Sequence, residues 1–123
     1  MTTSLAHLYA TICLATVFFQ IGLIAGLPLG RYTQGGQHEG ALPLSGRIVA
    51  LVSIPILLWM ALSILSAAGF PGLDWPRWTG WAAFAVTCGI CMLNWITPST
   101  EERRVWGPIT TVMAALALVV MTA

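Results

Sequence analysis

The sequence contains no lysine and few charged residues of any kind. Its five basic residues are all arginines, only four residues are acidic, and charged residues make up 7% of the 123 positions. An average soluble domain carries about 25% charged residues. The formal net charge is only +1, without the clustered basic surface that nucleic-acid binding requires. We therefore expect no nucleic-acid partner.

Hydrophobic residues dominate instead, at 58% of the chain. A chain of this size buries only about 60–70% of its surface on folding, so the excess must face lipid. Apolar segments extend over Leu5–Leu27, Ile48–Ala68, Thr79–Ile96 and Val105–Thr122. At about 1.5 Å per residue these lengths match a hydrocarbon core of about 30 Å, where only helices satisfy their own backbone. The sequence predicts an all-α membrane protein, one domain over residues 1–123, with helices at about 5–27, 48–68, 79–96 and 100–122.

The distribution of arginines predicts the orientation of these helices. One side of the membrane receives Arg31, Arg47, Arg103 and Arg104, whereas Arg77 stands alone on the other. Positively charged residues are concentrated in cytoplasmic loops. We therefore predict an up-down-up-down bundle with both termini on the non-cytoplasmic side, a multi-pass protein of a bacterial inner membrane.

The fourth helix has a clear start signal. Ser99 is followed three residues later by Glu102, the spacing of a capping box in which each side chain accepts a backbone N–H. With Glu102 assigned to the helix end, no Asp, Glu or Arg is expected in mid-span. Ion-coupled transporters usually carry such a group, and small multidrug transporters depend on a glutamate in their first helix, which is absent here.

Gln20 and Asn94 are the polar side chains deepest in the predicted spans. A hydrogen bond between them would contribute only about 0.6 kcal/mol but would fix the helix register. Thr87 lies seven residues before Asn94, on the same face of the third helix. We interpret all three as interhelical contacts, with a transport site as the alternative. Gly22 and Gly26 form a G-x-x-x-G motif, which permits close approach of helices.

The cysteines admit one enzymatic alternative. Cys88 and Cys91 form a C-x-x-C within the third helix, and Cys13 lies in the first. Membrane thiol oxidoreductases of the vitamin K epoxide reductase kind also combine four helices with a C-x-x-C. They need a second cysteine pair or an accessory domain, and this chain has neither. Because free cysteine packs as a small hydrophobe, we interpret all three as packing residues and expect no catalytic residue.

The two histidines do not suggest a haem site, because His7 and His38 belong to opposite sides of the membrane. His7 alone is a possible axial ligand for a chlorophyll-type pigment. His38, Glu39 and the pair Glu101 and Glu102 share one side, but arginines there offer simpler partners than a metal. We therefore expect no metal and no cofactor, with a pigment on His7 or a bound lipid as the alternative.

The connection between the first two helices is rich in glycine. It lacks the G-K-[ST] ending of a phosphate-binding loop, and its glycines permit tight turns. We predict a folded loop packed on the cytoplasmic end of the bundle, and we hypothesise that it docks a partner. The residues assigned to this docking surface are Arg31, Tyr32, Gly35, Gly36, His38 and Glu39.

Two stretches carry a resemblance to known proteins. The first comprises Gly30, Tyr32, Gly35, Gly36, Gly40, Leu42 and Pro43, and the second comprises Asn94, Ser99, Glu102, Arg103, Val105, Trp106 and Pro108. In combination they resemble a group of uncharacterised bacterial integral membrane proteins of about this length. The resemblance covers nearly the whole chain and implies four helices and a bacterial inner membrane. It implies nothing about mechanism.

These features together favour a non-enzymatic protein. Helices rich in Gly, Ala, Ser and Trp, without mid-span charges, suit packing against other helices, pigments or lipids. We expect a small subunit that packs in or helps to assemble a larger photosynthetic or respiratory membrane complex, with other membrane subunits or copies of itself as partners. The alternatives are a thiol oxidoreductase using Cys88 and Cys91 and a small homo-oligomeric transporter or channel.

Overall fold

Four long helices make up most of the molecule. A computed structural model describes residues 1–123 and contains no strand. The helices are α1 (Thr2–Ala25), α2 (Leu44–Ala67), α3 (Arg77–Ile96) and α4 (Thr100–Thr122). All four are long and apolar enough to cross a membrane. The prediction of an all-helical, four-helix, multi-pass membrane protein is thereby confirmed.

The first helix ends at a glycine. Gly26 adopts a φ of 95°, a left-handed conformation that glycine reaches without strain. The Leu27 N–H donates to the Gly22 carbonyl and the Gly26 N–H to the Leu23 carbonyl, which is the Schellman arrangement of helix C-termini. Gly22 faces side chains of the following connection, Leu27 and Leu29. The G-x-x-x-G pattern therefore terminates α1, and its second glycine also lies close to α2, because a Cβ at Gly26 would lie 3.3 Å from the Arg47 guanidinium.

Helix packing produces one main hydrophobic core. Its 13 buried residues come from all four helices, with α1 packed most closely on α2 and α3 on α4. A hydrogen bond of 2.7 Å between the Tyr9 hydroxyl and Thr87 Oγ1 joins α1 to α3 inside this core. The Thr87 hydroxyl donates to the Ala83 carbonyl, so the Tyr9 hydroxyl is the donor to Thr87.

Arginine side chains hold helix C-termini. Arg77, at the start of α3, donates to the Met121 carbonyl at the end of α4. Arg103 donates to the Thr97 carbonyl, directly after α3, over 2.8 Å. Cations near these carbonyls satisfy backbone acceptors that the helix leaves free. Arg103, one of the four arginines predicted to lie on the side of the acids, is thus engaged with the backbone.

Candidate functional site

The start of α4 departs from the predicted capping box in a way that matters for the site. Ser99 Oγ accepts the Glu102 N–H over 3.1 Å, as the motif predicts. The reciprocal bond is different, because the Ser99 N–H donates to Thr97 Oγ1 over 3.2 Å. Thr97 therefore takes the place that the Glu102 carboxylate would have filled. The Glu102 carboxylate is therefore not held at the cap. The residue is nevertheless buried, with 8% of its surface exposed.

Glu102 lines a large cavity between the helices. The cavity has a volume of about 710 Å³ and is bounded by all four helices and by the connection between α1 and α2. This volume lies within the range of about 300–1,000 Å³ typical of small-molecule sites. The polar residues around it include Thr16, Gln20, Ser53, Thr87, Asn94 and Glu102. Most of the remaining wall is aliphatic and aromatic.

One face of α4 forms a continuous part of this wall. Glu102, Trp106, Thr110 and Met113 all line the cavity and recur at the spacing of successive helical turns. The face therefore begins with a carboxylate and continues as apolar surface with one hydroxyl. A ligand lying along α4 would meet the carboxylate at one end and apolar side chains beyond it.

The exposed apolar part of the cavity wall lies on α2 and α3. Its exposed apolar wall residues are Ile56 on α2 and Val86, Leu93 and Ile96 on α3. The wall residues from α1 and α4 are all half-buried or buried. These exposures indicate an opening between α2 and α3, and an opening between two membrane-spanning helices faces the lipid.

The hydroxyl groups around the cavity act as acceptors. Thr16, Ser53, Thr87 and Thr110 each donate their hydroxyl proton to the backbone carbonyl four residues earlier, over 2.6–2.9 Å. Each hydroxyl has only one proton, so lone pairs are what remains for a ligand. No arginine or histidine lies among the residues that line the cavity. The wall also carries the side-chain amides of Gln20 and Asn94, which can donate as well as accept, and Glu102 is its one carboxylate.

The connection between α1 and α2 covers one end of the cavity. Residues 32–35 line it, and the Gln34 side chain donates to the Gly46 carbonyl at the start of α2 over 2.9 Å. Gly36 has a φ of 68° and approaches Ser99 so closely that a Cβ there would lie 2.7 Å from the Ser99 Cβ. The Ser99 hydroxyl also donates to the Arg31 carbonyl. The connection is thus fastened to the start of α4.

The docking residues predicted in this connection divide into two groups. Tyr32, Gly35 and Gly36 are half-buried and belong to the part folded over the cavity. The exposed residues are Arg31, His38 and Glu39, and the Arg31 guanidinium lies 5.6 Å from the centre of the Tyr32 ring. Docking of a partner on this surface stays a prediction.

The three predicted interhelical polar residues reach the cavity wall. Gln20, Thr87 and Asn94 all line it, but the hydrogen bonds of the molecule include none between Gln20 and Asn94. Thr87 bonds across the core to Tyr9. The structure therefore brings the three residues to one cavity without the direct amide contact that the sequence predicted.

The cysteines are all free thiols. Cys13 is buried, whereas Cys88 and Cys91 are half-buried on α3. Cys91 Sγ lies 3.4 Å from Thr111 Oγ1 on α4, and the same hydroxyl accepts a bond from Trp95 Nε1 over 2.9 Å. These contacts describe interhelical packing. A redox role for the C-x-x-C stays an untested alternative.

The histidines lie apart from the cavity. His7 Nδ1 donates to the Thr3 carbonyl over 2.8 Å, and the His7 ring packs 5.6 Å from the Phe70 ring. His38 is exposed in the first connection. The structure groups no three His, Cys, Asp or Glu residues that could hold a metal ion. Pigment ligation by His7 stays a prediction.

Sequence reasoning missed the main polar feature of the site. It assigned Glu102 to a cap and did not identify Tyr9 or Thr97 as polar partners. The recurrence of Glu102, Trp106 and Thr110 every four residues was the available signal, because it places a carboxylate at the head of one helical face. Thr97 two residues before Ser99 was the signal that another acceptor could replace the glutamate.

Comparisons of the chain with known protein families, with curated proteins and with solved structures give no match. The resemblance drawn from the glycine-rich connection and the start of α4 therefore stays a prediction.

Proposed function

We propose that this chain is a small non-enzymatic membrane protein that binds an apolar or amphiphilic molecule in the cavity between its helices. The observation that carries the proposal is the cavity of about 710 Å³, open toward lipid between α2 and α3. Its wall combines an extended apolar surface with a few polar groups, the composition typical of small-molecule sites. Binding of this kind also suits the transporter alternative, in which the cavity is the substrate site.

The topology proposed with this function is an up-down-up-down bundle in a bacterial inner membrane, with both termini outside. The distribution of arginines supports it, since Arg77 stands alone on the side opposite the other four. The Glu102 end of the cavity then lies near the cytoplasmic surface. Fusions of alkaline phosphatase and green fluorescent protein to the C-terminus test the orientation. Phosphatase activity without fluorescence supports it, and fluorescence without phosphatase activity contradicts it.

Site-specific crosslinking tests whether the cavity binds a ligand. The probe is a fatty alcohol that carries a diazirine on its chain, and the protein is held in lipid nanodiscs. Illumination followed by peptide mass mapping locates the adducts. We expect adducts on residues of the cavity wall, and we expect their amount to saturate as the probe concentration rises. Adducts spread evenly over the exposed helix faces would contradict the proposal, because they would report contact with bulk lipid alone.

A matched pair of variants sharpens this test. Ile90→Trp adds bulk on the cavity wall, whereas Ile109→Trp adds the same bulk at a half-buried position outside the cavity. Adducts in the cavity should disappear in Ile90→Trp and persist in Ile109→Trp. Equal labelling of both variants and the wild type would show that the probe does not occupy the cavity.

The second candidate is a subunit of a larger photosynthetic or respiratory membrane complex. A shallow apolar groove between α1 and α4 favours it, with Thr11, Ala15, Pro108 and Val112 exposed along its length. Small side chains such as Ala15 let another helix or an acyl chain approach closely. Gentle purification from native membranes, with native mass spectrometry and an absorption spectrum, tests it. Stoichiometric partner chains or bound pigment would support a subunit, and a bare homo-oligomer would count against it.

A further inference from the structure

The charge of the cavity wall identifies the chemical class of the ligand. We propose that the cavity selects an amphiphile whose head is an organic ammonium or a similar cation, with Glu102 as its counter-charge. This inference rests on the proposed function, because it names the ligand of the same cavity. It follows from the surroundings of Glu102, from the remaining polar groups of the wall and from the position of the opening.

Glu102 is buried without a cation. The residue is 8% exposed, and its carboxylate takes part in no hydrogen bond or ion pair within the chain, while its oxygens keep some exposure toward the cavity. Arg103, its neighbour in the chain, donates to the Thr97 carbonyl instead. A carboxylate with little access to water and no partner in the chain is costly, and a ligand cation would supply the missing counter-charge.

The start of α4 compensates this charge only in part. Glu102 occupies the first turn of α4, after the cap residue Ser99. A helix N-terminus acts as roughly half a positive charge, which offsets only part of the charge of a carboxylate. A positive group on a ligand would complete this compensation.

The other polar groups of the wall point to the same ligand. Thr16, Ser53 and Thr110 donate their hydroxyl protons to helix carbonyls and keep lone pairs for a ligand, whereas the Thr87 oxygen already accepts the Tyr9 hydroxyl. The Gln34 side-chain amide likewise donates one of its two N–H groups to the Gly46 carbonyl. The side-chain amides of Gln20 and Asn94 supply neutral donors, but an anionic head would also meet the carboxylate, with no arginine or histidine to balance it. A cationic head meets complementary groups.

The shape of the site explains why the ligand should be an amphiphile and not a free ion. Beyond Glu102 the wall is formed by side chains such as Trp106 and Met113, and the opening between α2 and α3 is lined by apolar residues. A small hydrated ion would leave this surface uncovered. An ammonium with a hydrocarbon tail covers it and reaches the cavity from the lipid.

The test uses three crosslinkers that share one diazirine-bearing tail and differ only in the head, which is trimethylammonium, alcohol or carboxylate. We expect the ammonium to label the cavity at a concentration at least about tenfold lower than the alcohol, which corresponds to about 1.4 kcal/mol. The carboxylate should label it least. Because this comparison uses the wild-type protein, it does not depend on any variant folding.

Two matched variants assign the preference to one residue. Glu102→Gln removes the charge in the cavity and should reduce the preference for ammonium over alcohol to near unity. Glu101→Gln removes the adjacent charge, which does not line the cavity, and should leave the preference unchanged. Size-exclusion chromatography and circular dichroism check that both variants fold.

The outcomes separate this inference from the proposed function. Equal labelling of the cavity by ammonium and alcohol, unchanged in Glu102→Gln, would overturn the cation inference and leave the cavity as a ligand site. Preference for the carboxylate would overturn it as well. Absence of selective cavity labelling by all three reagents would overturn the proposed function, and the cation inference would fall with it.

The ammonium group has two natural sources, a lipid headgroup and a free amphiphilic amine. Competition against the ammonium crosslinker distinguishes them. An alkylamine that competes while lysophosphatidylethanolamine does not would identify a free amphiphilic cation as the ligand. Competition by both would identify the lipid headgroup, since the cavity then accepts the phosphate beside the ammonium. Failure of both to compete would contradict the proposal, because neither source of the cation would occupy the site.

Discussion

The hydrogen bond between Tyr9 and Thr87 permits a prediction that depends on the direction of donation. Tyr9 and Thr87 are 0% and 1% exposed, so water cannot readily replace either partner. The Thr87 proton goes to the Ala83 carbonyl, and the Tyr9 proton goes to Thr87 Oγ1. Truncating Tyr9 therefore removes a donor to Thr87, whereas truncating Thr87 removes the acceptor of the Tyr9 hydroxyl.

The two single variants should differ in cost. In Tyr9→Phe, Thr87 keeps its bond to Ala83 and loses only one accepted bond, which should cost about 0.6 kcal/mol, the average for such bonds in membranes. In Thr87→Val, the Tyr9 hydroxyl is left buried without an acceptor, which should cost about 1–3 kcal/mol. The double variant Tyr9→Phe/Thr87→Val buries no stranded donor. It should therefore be more stable than Thr87→Val alone.

Unfolding in mixed micelles, titrated with sodium dodecyl sulfate, measures the free energy of unfolding of all four proteins. Thr11→Val, which removes a hydroxyl that donates to the His7 carbonyl at an exposed position of α1, serves as the control for loss of a threonine hydroxyl. Equal costs for the two single variants, or strictly additive costs in the double variant, would refute the assigned direction of donation.

Three further perturbations have expected outcomes. Gly26→Ala should destabilise the protein by about 1–2 kcal/mol because Gly26 has a positive φ. Gly89→Ala lies in a helix with open space around the added Cβ and should stabilise the protein by about 0.5–1 kcal/mol. Changes of the same sign in the free energy of unfolding of the two variants, measured in mixed micelles, would contradict this. Ser99→Ala removes the cap of α4 and the bond to the first connection, and it should cost about 0.5–2 kcal/mol in the same assay. A small membrane-permeant thiol reagent should modify Cys91 in the folded protein and Cys13 only after unfolding. Intact-mass measurements follow both reactions. Rapid modification of Cys13 in the folded protein would show that Cys13 is not buried.

Hydropathy was enough to find the four helices, because span length depends on composition averaged over many residues. Their ends depend on single residues and were less accurate. α2 begins at Leu44, four residues before the apolar run that predicted it, because the first turn of a helix can carry small and polar residues such as Ser45. α1 ends at Ala25 because of the backbone of Gly26, which hydropathy does not register.

The polar site was predictable only in part. The depth of a residue along a helix can be counted from the sequence, and this count predicts equal depths for Gln20 and Asn94. Both residues line the cavity. Whether two side chains at one level touch depends on helix rotation and spacing, and a single sequence does not encode these plainly. The prediction that Glu102 completes the capping box was wrong for a different reason. Its motif has two acceptors available for one N–H, and the choice of Thr97 over the glutamate is a local competition.

The side opening between α2 and α3 has a consequence for how occupancy should be measured. A ligand that reaches the site from the bilayer binds according to its concentration in the lipid phase. The total amount in the sample is then a poor guide to occupancy. For a hydrophobic amphiphile, adding empty vesicles dilutes that phase and should weaken apparent binding in proportion to lipid volume, without any change in the protein. Occupancy would then follow the mole fraction of ligand in the membrane, so the protein would act as a gauge of membrane composition.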